Sequence, residues 1–490
     1  MSLFLQMFVP VLEEAGSLST ELETLVATAD PEIIKTLFTK KAHTEKRSRF
    51  YKVNRMLDVC VWILCTTFLL LLLEILNMQF SRYALYGMDG VLNLEGEEWK
   101  RHTRAVRDIF HGGHVDQHEE TIRNIVKEHI NSWEYGETAE FGVLPSRRSQ
   151  YAPSFYRSDP FPGGRPVPQT KPKEVSNGGP DLLSAVRGIA MDVILMYGFN
   201  VNPASELGVS LASELSLYPH VVGLFSNVGA LMAWNFQKII ACTNRIRNLV
   251  KDVRKQNEEE SQTVESKRIS DGISYGSIPN FVTNMIKAGF ELKELAAEVN
   301  HIHGAHKAVA FVGTCLLWRL SKHPEWVEKA RQEWNEKLRN GEAPNRNILS
   351  ELVVTKAIIW ECLRMHTVSL GVVRQTGEPI EMQGKTIPTG TEVIVLLHAL
   401  HHHPKFWNDP LTFNPSRFLE GKPAPYTFIP FLDGARMCAG KQLAELQLCT
   451  VMHTILKDYD IQTGIDELTL KPDMYSALDV TIPFTIHARK

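Results

Sequence analysis

Apolar residues recur with a helical period along most of this chain. In residues 181–197 they occupy positions 182, 186, 189, 193 and 196, and this spacing predicts an amphipathic helix. Residues 291–320 predict a helix about 45 Å long at 1.5 Å per residue, and its centre, AVAFVGTCLLW, is apolar on every side. Strand patterns are short and include residues 391–397 and the segment VTIPFTI near the C-terminus. The pattern therefore predicts a mainly α-helical protein with small β-sheets.

A continuous apolar run at residues 58–77 does not fit this plan. Between residues 59 and 76 it carries a single charged residue, Glu74, and it is nearly long enough to span a bilayer. Basic residues crowd positions 40–55, which would place that flank in the cytosol. A true span would put two parts of one domain on opposite sides of a membrane. We therefore interpret this run as an element that dips into a membrane, or as a stretch that is not native to the fold.

Residues 144–179 form a second irregular segment. They are rich in Pro, Gly, Ser and Arg and show no apolar period. Such a composition cannot bury enough apolar surface to offset the entropy of ordering. The composition therefore predicts a disordered insertion at residues 144–179.

The segment FLDGARMCAG, residues 431–440, carries the clearest chemical pattern. It places Cys438 in a Gly-rich loop before a helix-like run, and each neighbour has a role if this cysteine is the thiolate ligand of a haem iron. Glycines 434 and 440 let the backbone approach a flat porphyrin and direct N–H groups at the sulfur. Arg436 offers a charge to a haem propionate, and Phe431 covers the sulfur from water.

The spacing FxxGxRxCxG in this loop resembles the signature of the cytochrome P450 superfamily, and all five fixed positions match. The resemblance implies a single haem-thiolate domain, with haem b between the long central helix and the cysteine loop and with Cys438 as the metal ligand. On this basis we divide the chain as follows. Residues 1–57 are an incomplete N-terminal part of the haem domain, 58–77 the apolar segment, 78–143 the part with the Trp99 helix, 144–179 the insertion, and 180–490 the core with the cysteine ligand.

Further segments carry the same resemblance. Glu361 and Arg364 are three residues apart and share one helix face. In the family such a pair joins an arginine of a downstream segment, which implies a buried structural network with Arg417 of FNPSRF. The resemblance also implies that Arg374, in GVVRQT, binds a propionate.

The segment around Trp99 resembles the helix that presents a tryptophan and basic groups to the propionates. The family often has arginine four residues after the tryptophan, whereas this chain has Thr103 there. His102 and Arg104 lie on either side of Thr103 and are the substitutes that we expect to contact a propionate.

The predicted long helix departs from the family at the position that usually carries an acid and an alcohol for proton delivery. Counted back from His323-Pro324, Lys307 takes the acid position and Ala308 the hydroxyl position, and a shift by one residue brings His306 in. We therefore name Ala308, Lys307 and His306 as the candidate catalytic positions. Thr314 lies about 240° around the helix and cannot substitute. His301, His303 and His306 either carry protons or are packed or solvated histidines.

Composition and the cysteine count argue against several other classes of partner and site. The 490 residues, 44% of them hydrophobic, can bury a large core, and the net charge of −3 gives no reason to expect a nucleic-acid partner. Seven cysteines without CxxC pairs argue against a disulfide framework or a zinc site and favour a reducing compartment. The run from His401 to His403 resembles a metal tract, but the family places a surface loop there.

The resemblance implies a haem-thiolate oxidoreductase. Our first interpretation is a monooxygenase that inserts one oxygen atom of dioxygen into an apolar small molecule. Its electrons come from a separate reductase, of flavoprotein or ferredoxin type, because the chain has no flavin or nicotinamide motif. A hydroperoxide-rearranging or peroxide-using enzyme is an alternative that Lys307 and Ala308 favour. A non-catalytic haem-binding protein or a defective gene product is another, which the irregular segments favour.

The family also implies a place in the cell. We expect association with a membrane, on the cytosolic side of the endoplasmic reticulum. The family's usual N-terminal anchor is not recognisable before Leu25. A soluble cytoplasmic protein is therefore the alternative.

Overall fold

The computed structural model describes most of the chain from residue 90 onward and two short segments before it. The described residues are 17–19, 25–39, 90–92, 94–110, 112–134, 181–223, 244–259, 262, 280–338, 342–382, 384–471, 477–478 and 480–489. The apolar segment 58–77 and the insertion 144–179 lie outside them.

Helices make up most of the described chain, as the hydrophobic period predicts. They are α1 (Pro31–Thr39), α2 (Gly96–Phe110), α3 (Gly112–Gln117), α4 (Glu119–Glu134), α5 (Leu182–Val193, followed by a π-helical turn Ile194–Gly198), α6 (Glu206–Gly223), α7 (244–259), α8 (Phe281–Lys287), α9 (Leu292–Lys322), α10 (Pro324–Lys337), α11 (Arg346–Leu349), α12 (Val353–Met365), α13 (Leu397–His402) and α14 (Lys441–Asp458). None of the described helices is long and apolar enough to cross a membrane.

Among the described residues, short strands form four small sheets. The strands are β1 (Ser17–Ser19), β2 (Leu25–Thr28), β3 (Val372–Gln375), β4 (Ile380–Met382), β5 (Lys385–Ile387), β6 (Glu392–Val395), β7 (Tyr459–Thr463), β8 (Leu470–Lys471), β9 (Ala477–Leu478) and β10 (Phe484–Ala488). The largest sheet has the order β1-β2-β6-β3, in which β2 and β6 are parallel and the other neighbours antiparallel. The other sheets are the antiparallel pairs β7–β10, β4–β5 and β8–β9.

The long helix α9 lies at the centre of the larger hydrophobic core. It begins at a capping box in which the Glu291 and Glu294 side chains each accept from the other residue's backbone N–H, and it ends before Pro324. Its segment Ala310–Leu317 is buried throughout, as the apolar pattern predicts. Helix α5 packs along it, with Gly198 beside Ile302 and Val186 beside Gly313, so the two helices are antiparallel. A second, smaller core joins α1 to the four-stranded sheet.

The histidine run His401–His403 differs from its sequence interpretation. We expected a surface loop, but all three side chains are buried at the end of α13. The reason is a non-local contact, in which His401 Nε2 accepts a hydrogen bond from the Ile429 backbone N–H at 3.1 Å. No cluster of potential metal ligands is found among the described residues.

Candidate active site

The cysteine loop ends where α14 begins, so Cys438 lies directly before a helix N-terminus. Its backbone N–H donates to the Phe431 carbonyl at 2.9 Å, which closes the loop, and the Gly440 N–H donates to its sulfur. Cys438 is exposed, whereas the other described cysteines, Cys315, Cys362 and Cys449, are buried. Among the described residues this loop therefore presents the accessible thiol.

Opposing influences act on the protonation of this thiol. Although Cys438 is exposed, the protein around it displaces part of its surrounding water and raises the pKa of the thiol. The Gly440 N–H and the charge of Lys441 act in the opposite direction, because both stabilise a thiolate. A positive ion bound to the sulfur would add to these two effects.

The structure shows why position 434 of the motif is a glycine. Its φ of +71° lies in the left-handed region, and a Cβ atom there would overlap the carbonyl oxygen of Phe38. The loop is therefore docked on the end of α1. Gly440 differs, because its φ is −82° and a Cβ there would lie 4.0 Å from the Cys438 sulfur.

Two of the predicted propionate-binding residues lie in contact. The Arg436 guanidinium is 3.9 Å from the centre of the Trp99 ring and donates to the Leu94 carbonyl at 3.0 Å. This stacking fixes the direction of the charge. Arg374 is buried on β3, lies 5.0 Å from the Phe38 ring centre and donates to the Val373 carbonyl.

The remaining basic candidates on α2 face in different directions. Arg104 is exposed, whereas His102 is buried and its Nδ1 lies 2.6 Å from a carboxylate oxygen of Glu298 on α9. The Val91 backbone N–H donates to the same oxygen at 2.6 Å. Glu298 was not among the residues predicted from the sequence, although a glutamate between apolar residues of a helix is a signal of a buried partner. A propionate contact from His102 or Arg104 stays a prediction.

One side of helix α9 is exposed to solvent near the middle of the helix. Gly304, Ala305 and Lys307 are exposed and Ala308 is half-buried, although this helix is buried further along. His306 is turned away, because its ring is buried and contacts the His303 carbonyl and the His303 ring. The structure thus brings Lys307 and Ala308 to the open side and does not bring His306 there.

The imidazoles of α9 are packed rather than solvated. His301, His303 and His306 are all buried, and burial followed by the charge of Lys307 keeps the pKa of His306 at about 3. A histidine that stays neutral through the physiological range is a poor proton carrier. Thr314 Oγ1 donates to the Ala310 carbonyl at 2.7 Å inside the core, so it supplies no hydroxyl to the open side.

The setting of Lys307 includes a residue that the sequence analysis did not identify. Although Lys307 is exposed, nearby protein atoms displace part of its surrounding water, and this effect, followed by the charge of Arg187 on α5, lowers its pKa to about 8. Arg187 could have been identified from the sequence, because it is a charged residue within the apolar helix pattern of residues 181–197. Two cations therefore stand near the position where the family places an acid.

The structural network closes around Glu361. Arg364 donates to both oxygens of this carboxylate, at 2.8 and 2.9 Å, and both side chains are fully buried. Arg417 donates to one oxygen at 3.3 Å, and the Asn414 backbone N–H donates to the same oxygen at 2.9 Å. The structure thus brings the three predicted residues together.

The comparisons with known proteins agree with this geometry. Residues 198–482 match the family Cytochrome P450. The chain belongs to the cytochrome P450 family. The crystal structure of the cytochrome P450DA heme domain covers 100% of this chain and 93% of its own, with a TM-score of 0.67 and 16% identity. The predicted mainly helical haem-domain fold is thereby confirmed.

Similar curated proteins include several named cytochromes P450. Cytochrome P450 4Z1 of Homo sapiens is 35% identical over 163 residues, 32% of each chain. Cytochrome P450 85A1 of Oryza sativa subsp. japonica is 27% identical over 304 residues, 59% of this chain and 58% of its own. Cytochrome P450 4A2 of Rattus norvegicus is 31% identical over 209 residues, 42% of this chain and 41% of its own. The chain thus spans about a third to three fifths of the length of these relatives.

Membership of the cytochrome P450 family implies a haem bound through a cysteine thiolate, and the residues present fit that group. The accessible thiol of Cys438 receives a backbone N–H, as a thiolate ligand needs. Arg436 is held on Trp99 at the same loop and offers a fixed cation for a propionate. Small exposed residues on α9, Gly304 and Ala305, leave room for a flat ligand beside this helix.

Proposed function

We propose that this cytochrome P450 is a haem-thiolate oxidoreductase of the monooxygenase type, which inserts one oxygen atom of dioxygen into an apolar small molecule. The observation that carries the proposal is the accessible Cys438 thiol in a complete signature loop, while the other described cysteines are buried. A separate electron-donating reductase, of flavoprotein or ferredoxin type, is the partner that this chemistry requires. Association with a membrane remains a prediction from the family resemblance.

Several residues of the loop, together with Arg374, have distinct roles in this proposal. When bound, the haem would supply oxygen-activating chemistry at a thiolate-ligated iron. Cys438 provides the thiolate, and the Gly440 N–H stabilises the charge on its sulfur. Arg436 and Arg374 would hold the propionates, and Phe431 would screen the sulfur from water, while its carbonyl accepts a hydrogen bond from the Cys438 backbone N–H.

Proton supply is the unusual part of the site. Lys307 takes the place of the family's acid, and its lowered pKa of about 8 leaves a fraction of neutral amine at physiological pH. Such an amine can accept and donate a proton. Ala308 brings no hydroxyl, so substrate or water must supply the last hydrogen bond. We therefore expect inefficient use of dioxygen.

These substitutions favour a second candidate, a peroxide-using or hydroperoxide-rearranging enzyme. A peroxide carries its own O–O bond, so such an enzyme needs neither reductase nor proton delivery for that bond. Ala308 and Lys307 are compatible with that chemistry, and the loop at Cys438 suits both reactions. Side-by-side assays with dioxygen plus reductase and with hydroperoxides decide between the two. Product from hydroperoxide alone, unaffected by reductase, would assign the second reaction.

The ligand assignment is tested with Cys438→Ala in the full chain expressed with haem supply. The variant should lose the reduced carbon monoxide spectrum that thiolate-ligated haem gives. Met437→Ala is the matched control, because its side chain is 42% exposed beside the cysteine and has no assigned contact to iron. It should retain the spectrum. An unchanged thiolate spectrum in Cys438→Ala would refute the assignment and the function built on it.

A further inference from the structure

A cavity of about 290 Å³ lies between α10, the C-terminal end of α14 and the end of β10. Its lining residues are Arg331, Trp334, Asn335, Leu338, Glu342, His453, Lys457 and Arg489. From the first residue of α14 to His453 is about 18 Å along the helix, at 1.5 Å per residue. The cavity is therefore separate from the cysteine loop, and its volume is near the lower end of small-molecule sites, about 300 Å³.

Two charged side chains that line this cavity have no strong partner among the described residues. Arg331 is engaged, because it donates to the Leu456 and Tyr459 carbonyls and to the Asp460 carboxylate. Lys457 is exposed and makes no hydrogen bond or ion pair with any described residue. Arg489 lies 3.7 Å from Glu328, a weak contact. Two cations, Lys457 and Arg489, are thus available for a ligand.

His453 contributes a largely buried ring to the same wall, with 4% of the residue exposed. Burial, followed by the charges of Lys457, Arg123 and Lys127, lowers the pKa of His453 to about 4. The cations that contribute to this shift would also attract an anion.

The other wall of the cavity is apolar and rigid. Trp334 packs edge-on against the His453 ring with centres 4.9 Å apart, and its Nε1 donates to Thr355 Oγ1 at 2.8 Å. Leu338 continues this wall at the end of α10. Glu342 is the one carboxylate among the described lining residues, so Lys457 and Arg489 outnumber it.

We propose that this cavity is a binding site for a small organic anion, separate from the haem site. A phosphate or carboxylate head lies between Lys457 and Arg489, which donate charge-assisted hydrogen bonds. A flat apolar part lies against Trp334 and Leu338. The cavity volume limits the ligand to about the size of one ring with its charged group.

The test is calorimetric titration of the haem-loaded full chain with phenyl phosphate. Binding should be at least about tenfold stronger than that of benzyl alcohol, which has a similar shape and no charge. Lys457→Glu should weaken phenyl phosphate binding by about tenfold or more. Lys329→Glu is the charge-matched control, because Lys329 is exposed on α10, which borders the cavity, and does not itself line it. This control should bind phenyl phosphate as the unmodified protein does.

Specific outcomes would overturn the proposal. Equal affinity of Lys457→Glu and the unmodified protein, or no heat with phenyl phosphate at about 100-fold excess over protein, would show that the cavity is not an anion site. Binding of inorganic phosphate as tight as that of phenyl phosphate would remove the role of Trp334 and Leu338. Displacement of phenyl phosphate by phosphatidylcholine vesicles containing phosphatidic acid would make a lipid headgroup the ligand instead. Unchanged haem loading in the Lys457 variant would show that a loss of binding is local.

Discussion

The buried ion pair of α12 provides the prediction with the best-defined magnitude. Glu361→Ala removes the carboxylate that accepts hydrogen bonds from Arg364, Arg417 and the Asn414 backbone N–H. Arg364 is fully buried and keeps only its bonds to the His401 and Pro410 carbonyls, at 2.9 and 2.8 Å. The variant therefore retains a buried guanidinium whose charge has lost its partner.

The cost follows from that unpaired charge. Breaking a buried pair by removing one partner destabilises a protein by about 3–5 kcal/mol. Arg417 adds less, because it keeps its hydrogen bonds to the Asn408, Asp409 and Thr412 carbonyls. Folded proteins are stable by about 5–15 kcal/mol, so Glu361→Ala should remove about a fifth or more of the free energy of unfolding.

Denaturant unfolding measured together with haem retention is the assay. Glu361→Ala, Arg364→Ala and the double variant form a cycle, and the double variant should lose about 1–3 kcal/mol less than the sum of the two single changes. Glu32→Ala is the matched control, because Glu32 forms an ion pair with Lys35 at the same spacing, 3.7 Å long, with 53% and 82% of the Lys35 and Glu32 side chains exposed. It should change the free energy of unfolding by less than about 1 kcal/mol. A loss in Glu361→Ala no larger than in Glu32→Ala would refute the reasoning.

Further predictions concern the loop, the long helix and the second cavity. Gly434→Ala should lower the free energy of unfolding by more than the left-handed backbone cost of about 1–2 kcal/mol, because its Cβ would overlap Phe38. Gly384→Ala is the control, because Gly384 has a φ of +73° and no atom within 4 Å of the added Cβ. Its free energy of unfolding should fall only by the backbone cost. Equal losses in denaturant unfolding would contradict the docking of the loop on α1. Ala308→Thr should raise the ratio of product to reductant consumed, and a tightly coupled unmodified enzyme that the change impairs would contradict inefficient proton supply. His453 has a pKa near 4 in the folded chain, against an ordinary value of 6.5, so between these values the unfolded chain binds the additional proton. The unmodified protein should therefore lose up to about 3 kcal/mol relative to His453→Gln as pH falls from 6.5 to 4, and a constant difference across that range would contradict the burial argument.

Local patterns carried most of what the sequence could predict. The motif around Cys438 spans ten residues, and the spacing of Glu361 and Arg364 lies within one helical turn, so both could be recognised without any long-range contact. The same holds for the long helix, predicted at residues 291–320 and observed as Leu292–Lys322. The strand predicted at residues 391–397 is shorter, Glu392–Val395, because the chain turns into α13 at Leu397.

Contacts between distant segments could only be decided by the tertiary structure. Val91 and Glu298 are 207 residues apart in sequence, and no periodicity links the buried carboxylate of Glu298 to His102. Likewise, the burial of His401 depends on the backbone of Ile429.

The sequence by itself determined the family and the candidate iron ligand, because both depend on residue types at short, regular spacings. Only the tertiary structure decided which side chains are accessible. It made Cys438 the exposed cysteine among those described, turned His306 into the core, and joined α10 to the end of α14 around the cavity at His453. The physical reason is that burial and electrostatic environment are properties of packed neighbours from several elements, and the order of residues along one segment does not specify those neighbours.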